Sequence, residues 1–234
     1  QNPVQPGGFF YALAKSQENI DGSAVLCRTT NWTEPYECGP VLGAAWRHAH
    51  VILIRNRFLF IFHTLISDAP ERILFGVMDT EISPDWYEWR MLPGGTILEP
   101  RRIWEHGDVK TGDLHEHESF PEGTLIPSSA GEAQTARWEI RDPRILLNDD
   151  QNGTDALSGY LFYTVQGERA FAMSWFTINV SSYFSAIHLR YQKNIPSEII
   201  NATSLVRGVH PRRTVLVTGV GRSGTQFLCR LFQQ

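Results

Sequence analysis

The carboxylates able to do chemistry are few and sit at recognisable places. Asp142 stands in an Arg141-Asp142-Pro143 corner, and Glu168 follows Gly167 between two aromatic runs. Glu37 lies in Tyr36-Glu37-Cys38-Gly39, and Asp68 opens Asp68-Ala69-Pro70-Glu71-Arg72. Cleaving a glycosidic bond needs two carboxylates a few ångströms apart across the sugar, and these four are the candidates. Asp142 leads, because Pro143 fixes its own φ and biases the residue before it toward extended backbone, so the main chain aims the carboxylate. The competing structural reading is that Asp142 only caps a turn beside its proline. For Glu168 it is a solvated or arginine-paired residue at a hairpin turn, and for Asp68 it is a loop held by an internal ion pair with Arg72. Arg141 and Arg72 join the candidates as binding groups.

Two histidine pairs add to this set, His48-Ala49-His50 and His115-Glu116-His117. Alternate residues of a strand share a face, so His48 and His50 are candidates for one pocket, binding a sugar hydroxyl. His-x-His without further ligands is a weak metal signal, and no metal is assigned. His115 and His117 lie in an acidic stretch and read as solvated. Trp32, Trp86 and Trp89 are the residues able to stack on sugars, although tryptophans in such corners also pack between sheets.

The elements that must position these groups read as short β-strands. Phe9 to Ala14, Ala24 to Arg28 and Cys38 to Leu42 form one unit. His50 to Ile54, Phe58 to Thr64, Arg72 to Met78 and Thr96 to Leu98 form a second. The third runs from Arg137 to Trp175, with Ile145 to Leu147, Tyr160 to Thr164 and Ala170 to Trp175. Aromatic runs bounded by Gly, Asn and Asp clusters mark antiparallel strands. The units resemble one another, and repeated four-stranded units point to a β-propeller. Residues 99–136 form a long polar stretch of the kind that is functional or disordered. Phe184 to Tyr191 reads as one further strand.

With 234 residues and 42% apolar content the chain is globular and the size of one large domain, or of one domain with part of another. A net charge of −4 gives no reason to expect nucleic acid or an anionic membrane as a partner. No apolar run approaches the ~18 residues of a membrane-spanning helix. Three cysteines make no disulfide framework; Cys27 and Cys38 read as two buried thiols rather than a pair. Asn31, Asn152, Asn179 and Asn201 each begin an Asn-x-Ser/Thr sequon.

Units with Arg-Asp-Pro, Tyr-Leu-Phe-Tyr, Gly-Glu and Ala-x-Ala resemble the five-bladed β-propeller glycosidases, the group holding the arabinanase, β-xylosidase and invertase-like enzymes. The resemblance spans roughly residues 9 to 190. It implies an all-β propeller, here incomplete at about three blades, with carboxylates lining an axial pocket and a carbohydrate as partner. It makes Asp142 the transition-state-stabilising aspartate, and Glu37 resembles the Glu-Cys acid of the invertase-like group. Glu37 precedes Arg-Asp-Pro here, whereas that group has the reverse order, and no Asn-Asp-Pro nucleophile motif is present.

The tail carries a separate signal. Arg213 to Gly219 is a β-branched run of the buried parallel-strand kind. A glycine loop, Gly219-Val220-Gly221-Arg222-Ser223-Gly224-Thr225, and an amphipathic stretch follow, an order that cradles phosphate at a helix N-terminus. No Lys precedes Thr225, so this is not a Walker A loop. It resembles the phosphosulfate-binding loop of sulfotransferases. That resemblance makes Gly221, Arg222, Ser223, Gly224 and Thr225 the contacts of 3'-phosphoadenosine 5'-phosphosulfate in a complete domain; no cofactor is expected of the propeller. The resulting division is a propeller at 1–195, a linker at 196–211 and the start of a sulfotransferase-like domain at 212–234. Open blades expose strand edges, so self-association is expected.

Overall fold

The computed structural model describes residues 8–15, 23–102, 105, 125–128, 137–148, 156–181 and 214–217. These form three antiparallel sheets. The first has the order β1(Phe10–Lys15), β2(Ala24–Thr29), β3(Glu37–Gly43). The second runs β4(Trp46–Ile54), β5(Phe58–Leu65), β6(Ile73–Asp79), β7(Leu92–Leu98). The third runs β8(Ile140–Leu147), β9(Ala156–Val165), β10(Ala170–Asn179), β11(Thr214–Val217). The class is all-β and no sheet closes on itself among the described residues.

Strand β5 shows how the sheets stack. Its sequence, FLFIFHTL, is buried on both faces, and the pleat sends alternate side chains opposite ways. Leu59 and Ile61 join Ala24, Leu26, Trp46, Met78, Trp86 and Trp89 in a core shared with the first sheet. Phe58, Phe60 and Phe62 join Leu161, Tyr163 and Phe176 in a core shared with the third. The second sheet is therefore a middle layer, which is why its strands read as near-continuous apolar runs rather than as alternation.

The tryptophans divide accordingly. Trp86 and Trp89 are buried between sheets, while Trp32 is 67% exposed. Asp85 starts the turn at Trp86–Glu88 by accepting from Tyr87 N. Gly39 lets the Trp86 indole lie against β3, because a Cβ there would stand 2.6 Å from its ring.

Two expectations are corrected. Cys27 and Cys38 are joined in a disulfide, since they face one another across β2 and β3 with Cα atoms 4.0 Å apart. Sequence spacing alone does not reveal that register. Thr214–Val217 is a strand, as its β-branched run predicts, but it pairs antiparallel with β10 as the outer strand of the third sheet. A free sheet edge that accepts these residues overrides the composition typical of a parallel strand. Phe184 to Tyr191, residues 196–211, His115, His117 and the loop Gly219 to Thr225 lie outside the described residues.

The repeat is legible in the pairing. On β4, Arg47 pairs with Thr64 and His50 with Phe62, so His48 and Ala49 together oppose His63. On β8, Arg141 pairs with Thr164 and Arg144 with Phe162, so Asp142 and Pro143 together oppose Tyr163. Each first strand thus carries a one-residue β-bulge at the same place, and bulges re-aim side chains. The two strands lie against each other.

Candidate functional site

The two bulges face each other and bring the candidate residues together. Asp142 has φ +50 and His48 has φ +52. Asp142 is therefore left-handed, not extended as the following proline suggests. The bulge wins over the pre-proline preference, and Asp is among the residues that tolerate this region. Side chains held at such angles cluster at functional sites because surrounding structure must enforce them.

Asp142 Oδ1 lies 2.8 Å from His48 Nδ1, and Asp142 Oδ2 accepts from Thr164 Oγ1 at 2.9 Å. The carboxylate side chain remains 40% exposed. Burial acts to raise its pKa, but the bonds from His48 and Thr164 and the charge of Arg141 prevail and hold it below the usual carboxylate range. Asp142 is thus a fixed, ionised, solvent-reachable carboxylate.

One rung further along, His50 Nδ1 is 3.2 Å from Arg144 Nη1. Burial, then the Arg144 charge, push His50 down to a pKa of about 4. It is neutral at pH 7, so Nδ1 accepts from the guanidinium and the ring proton is assigned to Nε2. That Nε2 is buried with no hydrogen-bond partner among the described residues. His48 and His50 thus lie along one row, each engaging a different residue of β8.

Beneath this row lies a buried ion cluster. Arg141 donates through Nε to Glu71 at 2.8 Å, through Nη2 to Glu139 at 2.5 Å and through Nη1 to Glu168 at 2.9 Å. Arg47 Nε approaches Glu71 at 3.1 Å, and Arg47 Nη2 stands 3.7 Å from Glu168. The backbone delivers these partners: a parallel bridge joins Glu71 to Glu139, and Ile140 N donates to Glu71 O at 3.0 Å. Burial raises the Glu139 pKa against the opposing charge of Arg141. Glu168 sits at φ +73 after Gly167, in the β9–β10 turn, and takes the arginine-paired role that a turn residue suggests. One atom each of His48, Asp142 and Glu168 lie within 4.8 Å of one another, a spacing a metal ion would accept. The donor set fits poorly: Asp142 Oδ1 and His48 Nδ1 already engage each other, and two guanidiniums reach Glu168. We assign no metal there.

Glu37 and Asp68 have partners of their own. Glu37 bonds Arg28 at 3.4 Å and accepts from the Tyr87 hydroxyl at 3.1 Å. Asp68 closes on Arg72 at 3.0 Å, as the loop reading expects. Two buried acids escape sequence reasoning altogether. Glu71 reads as part of a surface loop, yet it is wholly buried. Glu105 lies in the long polar stretch, yet its carboxylate is buried against the Tyr163 hydroxyl at 3.3 Å and takes the Arg101 and Arg102 N–H groups at 2.6 and 2.7 Å. Desolvation lifts Glu105 to about 7 despite those bonds. No local signal marks either residue, because burial here is decided by long-range strand pairing.

Comparison with protein-family models and with curated protein sequences finds no match to this chain.

Proposed function

We propose that this chain is part of a carbohydrate-active β-propeller of the glycosidase type, with Asp142 as the fixed carboxylate of a sugar site between β4 and β8. The observation that carries this is Asp142 itself, ionised, exposed, held by His48 and Thr164, and presented at φ +50 from a bulge. A carboxylate so placed accepts from sugar hydroxyls or stabilises positive charge developing at an anomeric carbon. Three antiparallel sheets, the second and third of which carry the same bulge in their first strands, support the propeller reading.

A second reading, recognition of a glycan without turnover, has its own support. Glu168 is committed to Arg141, and Glu37 to Arg28 and Tyr87. Neither is presented as the second carboxylate that hydrolysis needs. Incubating the chain and Asp142→Asn with a panel of oligosaccharides, and following both cleavage and binding, separates the cases. Turnover lost in the variant supports the hydrolase, and binding without turnover, weakened in the variant, supports recognition. Equal behaviour of the two proteins removes Asp142 from the site. The glycine loop Gly221-Arg222-Ser223-Gly224-Thr225 keeps its separate proposal, contact with 3'-phosphoadenosine 5'-phosphosulfate. Protection of this loop from proteolysis by 3'-phosphoadenosine 5'-phosphate, absent in Arg222→Ala, tests it.

A further inference from the structure

The row of side chains between β4 and β8 holds two unlike groups. His48 faces Asp142 at 2.8 Å, and His50 faces Arg144 at 3.2 Å. Asp142 and Arg144 are two residues apart on one strand, which sets their backbones at most about 6–7 Å apart along its direction, less for the bulge between them. That is on the scale of a single saccharide unit.

Arg144 differs from four other arginines that reach solvent. Arg28, Arg57, Arg72 and Arg101 each close on a carboxylate, Glu37, Asp79, Asp68 and Glu99 respectively. Arg144 closes on His50, a neutral ring that orients the guanidinium without cancelling its charge. A guanidinium has five N–H donors in a planar fork that matches the oxygens of carboxylate or sulfate. Held two residues from Asp142 and with no carboxylate partner among the described residues, it presents a binding position for an anion.

We propose that the site takes an anionic saccharide, with hydroxyls on Asp142 and the carboxylate or sulfate substituent on Arg144. This rests on the sugar-site reading of Asp142 and names the class of its ligand. Asp142 is itself negative and repels an anion placed on it. The ligand charge therefore belongs at the Arg144 end, which fixes the direction of the sugar along the row.

The test is titration of the full chain at about 50 and 200 mM salt with matched probes. One pair is free-acid and methyl-esterified oligogalacturonide, and the other is dextran sulfate and dextran. The charged member of at least one pair is expected to bind about tenfold tighter than its neutral partner, with the margin shrinking at the higher salt. The pair that responds distinguishes a carboxylate from a sulfate. Arg144→Gln is expected to erase the margin while the melting temperature holds; Arg144→Lys restores part of it. Charged and neutral probes bound equally well, or a margin that survives in Arg144→Gln, would overturn the Arg144 assignment while leaving the sugar site intact. Binding of no probe by the parent chain would overturn the sugar-site reading on which the assignment stands.

Discussion

Asp142 joins motif to geometry, since Arg-Asp-Pro is visible in the chain and the carboxylate it places is fixed by His48 and Thr164. Its neighbour Arg141 is wholly buried among Glu71, Glu139 and Glu168. Removing one member of a buried ion cluster strands the others without compensation. Arg141→Met is expected to destabilise the chain by about 3–5 kcal/mol in chemical denaturation; a change within about 0.5 kcal/mol would mean that the cluster is not buried as described. Glu105 gives a pH signature. Its folded pKa of about 7 lies above an unfolded value near 4.3, so the folded state binds more protons between those limits. Its contribution is therefore undiminished below pH ~4 and is lost as pH rises through about 7, by roughly 4 kcal/mol. His63, stacked on Trp46 and pushed to about 4 by burial, has the opposite sign: it adds stability as pH rises from about 4 to 6.5. The two slopes overlap, so the informative quantity is the difference between the parent and Glu105→Gln. That difference is expected to grow in the variant's favour from pH 5 to 7.5, and a flat difference would contradict the burial of the carboxylate.

At the scale of elements, sequence and structure agree where local physics decides. The aromatic strands are found within a few residues of their expected limits, and the Gly167 turn is where the polar break puts it. They part where pairing decides. Strand β4 begins at Trp46, well before His50, because a bulge lets the ladder continue past His48. Strand β7 begins at Leu92, ahead of its expected start at Thr96, with Gly94 and Gly95 inside it. The Cys27–Cys38 bond and the antiparallel seat of β11 depend on register, which no short window encodes. The disulfide closes a short loop between adjacent strands, and reducing it is expected to lower stability by about 2–4 kcal/mol. An unchanged melting curve in reductant would show that the β2–β3 ladder holds without it. At Gly159 a Cβ would run into the backbone oxygen of Leu146 and crowd the Leu147 Cα. Gly159→Ala is therefore expected to destabilise by about 1–3 kcal/mol, through separation of β8 from β9.

For the whole molecule, the second sheet is packed on both faces, and the site lies where the first strands of the second and third sheets meet. The antiparallel strands were legible in the sequence because aromatic runs bounded by turn residues mark them. The ion cluster beneath the site was not, because its members come from residues 47, 71, 139, 141 and 168, far apart in the chain. Strand β3 is the outer strand of its sheet among the described residues and presents Val41, 56% exposed, at that edge. Sedimentation is expected to show concentration-dependent association that Val41→Lys reduces; a monomer at every concentration would remove this edge as a contact. The most direct measurement of the central claim is oligosaccharide binding by the parent chain and by Asp142→Asn, two proteins of near-identical shape that differ by one charge. The account predicts a saturable glycan complex that weakens at least about tenfold in the variant while the melting temperature holds. Equal affinity in both, with the fold intact, would contradict it.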